Sequence, residues 1–417
     1  MYRISPFIRY FAAALLSGAA LATLWVNLAP ESYYDVVEFR LLKLPLPDWL
    51  LRAPPSVTLM SLVSTLLMPL FFFFLGKELW EALILERGAL TLSRQPILPI
   101  GALVGSTVGA IVVWLVAVIL VDPLGDADLR AGWATGIGSD VVLCYVIGRI
   151  VFGRAHPALH FLLLLTVAQD VVALCAAALT APLDGLRLAW ALLAPAAAIG
   201  VWLLFGRHAR SDASEVRHQR AAALWPYAVA GVLSWMGLSL AGFPPELGLL
   251  PIIPAIPHAA RSFGIFAEAE GLLHDPLNRM ILLLIWPITA ILFLFGLARG
   301  AIELSAFGAG TQVVLATFWL GKPLGLLAGT SLALTFGGGK LPEGLRLSDL
   351  VLIAMITAFG FSAPVTVLDL TLEGGISTAE VRLGLAISVF GAVLAMLVAQ
   401  TTRRGRSRYD DKGRSKP

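Results

Sequence analysis

The sequence predicts an all-α polytopic membrane protein of about twelve transmembrane helices, and three observations carry that reading. The 417-residue chain is 58% hydrophobic and 14% charged, with mean hydropathy +0.84, whereas soluble domains carry about 25% charged residues. Apolar runs of about 20 residues, the length that crosses ~30 Å of hydrocarbon at ~1.5 Å per residue, recur from end to end. Lys and Arg gather in alternate connections, as they do in short cytoplasmic loops. Lipid is the solvent for most of this chain.

The first run, near residues 8–29, is long enough to span and lacks a small-residue cleavage site, so it reads as a span and not as a signal peptide. Further runs fall near 56–80, 96–121, 133–152, 157–181, 187–206, 221–241, 246–260, 278–298, 308–334, 348–370 and 380–402; the eighth is short and proline-rich. With the N-terminus inside, 21 of the 30 basic residues lie on the inner side. The outer segments hold Arg40, Lys43, Arg52, Arg130, Arg187, Arg299 and Arg382, offset by Asp122, Asp126, Asp128, Glu373 and Glu380. This bias places both termini in the cytoplasm. Residues 1–402 read as a single transmembrane domain and 403–417 as a disordered basic tail near anionic lipid. Cys144 and Cys175 lie in apolar runs as packing residues. The aromatic run Phe71, Phe72, Phe73 and Phe74 reads as lipid contact, and Trp80, Trp133 and Trp225 as interfacial anchors.

Charges inside the apolar runs are the candidates for function, because an ionised side chain in lipid is costly unless it is paired or solvated by a cavity. Lys77 sits with Glu78 and Glu81 at the cytoplasmic end of the second span, where a long side chain can snorkel. Lys322, in LATFWLGKPLGLLAG, is too deep for that. Asp140, in GWATGIGSDVVLCY, and Asp170, in LLLLTVAQDVVALCAAAL, are equally out of place, the latter near the bilayer midplane. The backbone beside them is rich in helix-interrupting residues: Gly132, Gly136 and Gly138 open the fourth span, and AFGFSAP, with Gly360 and Pro364, lies in the eleventh. Non-helical backbone at membrane depth persists only where it lines a cavity or is buried in protein. Paired interruptions in corresponding halves point to an inverted-repeat transporter, while close helix packing is the plainer account of the glycines.

These residues resemble the NhaA-type sodium/proton antiporter family over most of the chain. The matching segments are MPLFFFFLGKELWEA with Glu78, GWATGIGSD with Asp140, GRIVFGRAHPALHFLLLLTVAQD with Asp170, LGKPLGLLAG with Lys322, KLPEG at 340–344 and AFGFS at 358–362, in the family's order and at similar spacing. The resemblance implies NhaA-like inverted repeats with the fourth and eleventh spans unwound and crossing, broken at Gly136, Gly138 and Ser139 and at Gly360 and Ser362. It implies that Asp170 is the metal-ion ligand and proton carrier by turns, that Asp140 offsets the positive half-helix ends, and that Lys322 offsets the negative ones. It also implies Na+ or Li+, or K+, and H+ as transported ions, surrounding membrane lipids, a homodimer, a bacterial inner-membrane location and no cofactor. Glu78 corresponds to the family's cytoplasmic-funnel acid.

Two departures from the family pattern matter. Its ion site usually has two adjacent aspartates on the fifth span, and here Gln169 stands in the first place. Gln offers a carbonyl oxygen to a hard cation but carries no proton in exchange, so the expectation is one proton per cation; without the missing acid Lys322 either pairs with Asp170 or Asp140 or sits neutral, and pairing with Asp170 in the cation-free state is the favoured expectation. In the connection AGFPPELGLLP, Pro244 falls near the position of a family histidine linked to pH sensing, and none of the six histidines falls in a span interior by these boundaries. Glu246 there reads as an interfacial acid.

Other classes fit less well. Asp140 and Asp170 superficially suit an intramembrane aspartyl protease, but the midplane lysine argues against it. A transporter of this fold with a different cargo, or a sensor without antiport, is the stronger alternative, because Gln169 removes a family ligand. No nucleotide-binding loop, dinucleotide fingerprint or metal-ligand spacing occurs, and a net charge of +3 gives no basis for nucleic-acid binding.

Overall fold

The computed structural model describes residues 7–43, 56–84, 97–122, 127–153, 156–180, 187–206, 223–258, 275–336, 341–342, 344–372 and 375–414. Much of the basic residue set used above, including Arg87, Arg94, Arg154, the 207–220 connection, Arg261 and Lys340, lies outside the described residues, as do His208, His218 and His274.

Helices make up nearly all of it. Helix α1 is Phe7–Leu28, followed by a short α2, Pro30–Val37. After a π-helical turn at Leu62–Leu67 comes α3, Met68–Ile84, then α4, Ile97–Val121. A 3-10 turn, Gly132–Gly136, leads to α5, Val141–Phe152, and α6, Pro157–Thr180. Next are α7, Leu193–Leu204, α8, Trp225–Ala241, and α9, Pro276–Arg299. Helix α10, Ala309–Ala316, passes through a π-helical turn, Thr317–Gly321, into α11, Lys322–Thr335. Helices α12, Leu347–Ile356, and α13, Ser362–Thr371, precede α14, Ile376–Arg414, which carries helical backbone past residue 403.

Among the described residues, seven helical segments are long and apolar enough to cross a membrane. An eighth arises if Leu129–Gly136 and Val141–Phe152, bent by 45° at their junction, count as one. The expected all-α composition needs one amendment: Arg40–Lys43 pairs antiparallel with Ser56–Thr58 at the start of the second apolar run, where backbone N–H and C=O groups depend on each other in the absence of a helix. The expected eighth span is not an α-helix: Pro245–Leu247 and Leu250–Ala255 are 3-10 turns. Its prolines lack the N–H groups that an α-helix would use.

Close backbone approach sets the position of the central helices. Helix α4 meets α11 and the π-helical turn before it along facing glycines spaced four apart, Gly101, Gly105 and Gly109 against Gly321, Gly325 and Gly329. A Cβ on Gly325 would lie 2.3 Å from the Gly105 carbonyl oxygen, so only glycine permits this approach. Lys322 starts α11 within this stripe. The aromatic run on α3 is core and not lipid contact: Phe71, Phe72, Phe73 and Phe74 are at most 2% exposed, because α3 packs against α6 and α9. Trp225 is exposed, whereas Trp80 and Trp133 are half-buried against the core. Cys144 is buried as expected, but Cys175 is exposed on the outer face of α6.

Candidate functional site

Two chain breaks meet at the centre. Between Gly136 and Val141, and between Ile356 and Ser362, the backbone leaves the helix, which frees N–H groups at the starts of α5 and α13. Asp140 serves both helices. Its Oδ1 accepts the N–H of Leu143 at 2.8 Å, capping α5, and its Oδ2 accepts the N–H of Ser362 at 2.9 Å, at the start of α13. One carboxylate thus binds two helix N-termini, where negative charge is favoured. The glycines allow the segments to touch: a Cβ on Gly138 would lie 3.2 Å from Pro364 Cδ.

The opposite sign is placed on the carbonyl side. Lys322 Nζ donates to the carbonyl of Gly138 and to Ser139 Oγ, the latter at 2.8 Å, and lies 4.7 Å from the centre of the Phe318 ring. At the end of α12, Cys144 Sγ donates weakly to the Ile356 carbonyl at 3.5 Å, and the Thr357 carbonyl lies 3.4 Å from Ser139 Oγ, whose hydrogen goes to Gln169.

Asp170 and Gln169 face these breaks from α6, and both are fully buried. Asp170 Oδ1 accepts the Ser139 N–H at 2.7 Å, while its Oδ2 has no hydrogen-bond partner among the described residues. Gln169 Oε1 accepts from Ser139 Oγ at 2.8 Å, and its Nε2 donates to Ser106 Oγ on α4 at 2.8 Å. Ser139 is the hub, touching Asp170, Gln169 and Lys322. The expected pairing of Lys322 with Asp170 is replaced by this arrangement: among the described ion pairs the two do not meet, because Ser139 stands between them and binds each. The result is a cluster of hard oxygens from Asp170, Gln169 and Ser139, the kind of donor set that suits a hard cation.

Of the residues named from sequence, Asp170, Gln169, Asp140, Lys322, Gly138, Ser139, Gly360 and Ser362 come together here, and Gly136 packs beside them against Thr317. Glu78 does not join them. It lies on α3 with Glu81 and Lys77, whose Nζ is 3.1 Å from Glu78 Oε1 and 3.0 Å from Glu81 Oε2. The expected snorkelling of Lys77 is overturned, since its side chain is fully buried and held by two acids.

Ser106 was missed, because one small polar residue in a glycine-rich helix gives no signal by itself. A second cluster was missed too. Asp369 on α13 sits between Arg299 of α9 and Arg382 of α14, at 3.0 and 2.6 Å, beside a cavity of about 360 Å³ lined also by Tyr34, Glu38 and Glu303. An aspartate in the apolar stretch PVTVLDLTL was the available clue. Glu246 is no interfacial acid: it is 2% exposed, with the charges of Arg299 and Asp369 acting on it.

A broken-helix centre built from these segments invites comparison with known proteins. Residues 9–399 match the family model described as Na+/H+ antiporter 1. The chain belongs to this family. Among curated relatives, the Na(+)/H(+) antiporter NhaA of Jannaschia sp. (strain CCS1) is 38% identical, with 97% of this chain and 99% of that protein covered. The Na(+)/H(+) antiporter NhaA of Geobacter metallireducens is 32% identical, with 94% and 95% covered. This is therefore an NhaA-type member of the Na+/H+ antiporter family and a multi-pass membrane protein, and its relatives are transporters, not enzymes. The solved structure of the sodium proton antiporter MjNhaP1 from Methanocaldococcus jannaschii has a TM-score of 0.51 at 13% identity, over 96% of this chain and 97% of that one, a likeness of fold.

Proposed function

We propose that this chain is a secondary antiporter that exchanges Na+ or Li+, or K+, for H+ across the bacterial inner membrane, with Asp170 as the shared carrier. The observation that carries the reading is the fully buried Asp170 Oδ2, which has no hydrogen-bond partner among the described residues while Oδ1 is held by Ser139. A carboxylate oxygen out of water needs a proton or a cation, and one position cannot hold both. Competition for it couples the two fluxes, and alternating access turns competition into exchange. Gln169 supplies a carbonyl oxygen and no proton, so the exchange is one for one and electrically neutral.

In this reading twelve spans form NhaA-like inverted repeats. The interrupted fourth and eleventh cross where Asp140 bridges Val141–Phe152 and Ser362–Thr371 and where Lys322 binds Gly138. Both termini are cytoplasmic, Glu78 draws cations into the inner funnel, and the protein works as a homodimer. The test is ΔpH-driven exchange of Na+, Li+ and K+ in inside-out vesicles from a strain lacking its own antiporters. Wild type should dissipate ΔpH and Asp170→Asn should not, with no dependence on a clamped membrane potential. Exchange that generates or follows the potential refutes neutrality. The presence of Gln169 where the family usually has an acid favours one second reading, a transporter of this fold with another cargo or a sensor. Loss of all three exchange activities in the wild type would put that first.

A further inference from the structure

We propose that Ser106 is a positioning residue for cation binding, because its hydroxyl sets which end of the Gln169 amide faces the transport site. This rests on the reading of Asp170 and Gln169 as cation ligands given above. A side-chain amide carries an acceptor at one end and a donor at the other on a nearly symmetric plane, so its neighbours decide its orientation. Ser106 lies on α4, away from both chain breaks, and is 1% exposed. Its own hydrogen goes to the Leu103 carbonyl at 2.9 Å, so towards Gln169 it presents lone pairs. Gln169 Nε2 donates to those lone pairs at 2.8 Å. That turns Oε1 to the opposite side, towards Ser139, the residue that also holds Asp170.

The bonds run in one direction: Lys322 donates to Ser139, Ser139 to Gln169, Gln169 to Ser106, and Ser106 to the Leu103 carbonyl. A rival arrangement exists, and the site contains the acceptor it needs. With the amide turned over, Ser106 donates to Oε1, Nε2 donates to Ser139, and the Ser139 hydrogen goes to the Thr357 carbonyl, 3.4 Å away. The ends of the chain weigh against it, since the Leu103 bond at 2.9 Å is lost and a long one at 3.4 Å is gained. The turned amide would aim N–H2 at the cation position, and its positive edge repels the ion that the carbonyl attracts. Ser106 therefore determines whether the site offers a cation one oxygen more or a donor in its place.

The experiment uses full-length protein in proteoliposomes, reading ΔpH dissipation against Na+ and Li+ concentration. Ser106→Ala should raise the apparent KM about five- to tenfold, the weight of one hydrogen bond, with the maximal rate within about twofold of wild type. Ser106→Thr, which keeps the hydroxyl, should return KM towards wild type. In a Gln169→Ala background, Ser106→Ala should add nothing further. A wild-type KM in Ser106→Ala, an equal loss in the Ala and Thr variants, or additivity with Gln169→Ala would overturn the proposal. If Ser106→Ala fails to assemble, Ser106→Cys keeps the volume with a weakly accepting sulfur and should show a raised KM; an unchanged KM there is equally fatal. Wild type without exchange, or Asp170→Asn with full exchange, brings down the reading of the site and this inference with it. If those two controls behave as expected and Ser106→Ala is silent, the Ser106 inference alone fails.

Discussion

Asp140 joins two helix starts, so removing its acceptor oxygens one at a time predicts a graded loss of stability. In the wild type both oxygens are buried and engaged, at 2.8 Å to the Leu143 N–H and 2.9 Å to the Ser362 N–H. Asp140→Asn keeps one oxygen and sets an N–H2 against the other backbone donor. One buried donor then lacks an acceptor, at a cost of about 1–3 kcal/mol. Lost attraction between the carboxylate and two helix N-termini adds about 0.3–1 kcal/mol for each terminus. Asp140→Ala strips both donors and should cost roughly twice as much in hydrogen bonds. The assay is thermal unfolding of purified protein in detergent, followed by helix circular dichroism. Midpoints should fall in the order wild type, Asn, Ala, with clear spacing between each. An Asn variant that melts with wild type, or one as damaged as Ala, would refute the double-capping account.

Other parts of the structure make separate predictions. Gly325→Ala places a Cβ 2.3 Å from the Gly105 carbonyl oxygen, so α4 and α11 must move apart at about 1–3 kcal/mol; a lowered unfolding midpoint checks this, and an unchanged one contradicts the close packing. Lys322→Met keeps the apolar stem but leaves the buried Gly138 carbonyl without its donor, which should cost about 1–3 kcal/mol in the same measurement. Asp369→Asn leaves one of two flanking guanidiniums without its partner and should cost about 3 kcal/mol; Asp369→Glu, which keeps the charge, should cost less, and equal losses would argue against the ion pairs.

The membrane class and the buried charges that gather at the centre were legible in one dimension. The reason is thermodynamic: a carboxylate or ammonium in a run of leucines is so costly that Asp140, Asp170 and Lys322 announce themselves without a partner in view. The helix breaks were equally open to reading, since Gly136, Gly138, Gly360 and Pro364 are residues that let backbone leave a helix. Proline density flagged the eighth run as irregular, although its collapse into two 3-10 turns had to be seen. Partners were decided by folding alone. Lys322 finds Ser139 across 183 residues of chain and Asp140 finds Ser362 across 222, and no local pattern encodes distances of that kind. The same holds for Phe71 and Lys77, whose side chains suit lipid or an interface but meet the core and two acids once α3 is packed. Ser106 is the clearest case: a hydroxyl is cheap anywhere in a helix, where it can bond its own backbone, so its role exists only because α4 packs against α6 and brings Gln169 to within 2.8 Å of it. Sequence determined which groups could not be left in lipid, and tertiary structure decided what each was given instead, because hydrogen bonds are directional and their partners come from helices distant in the chain.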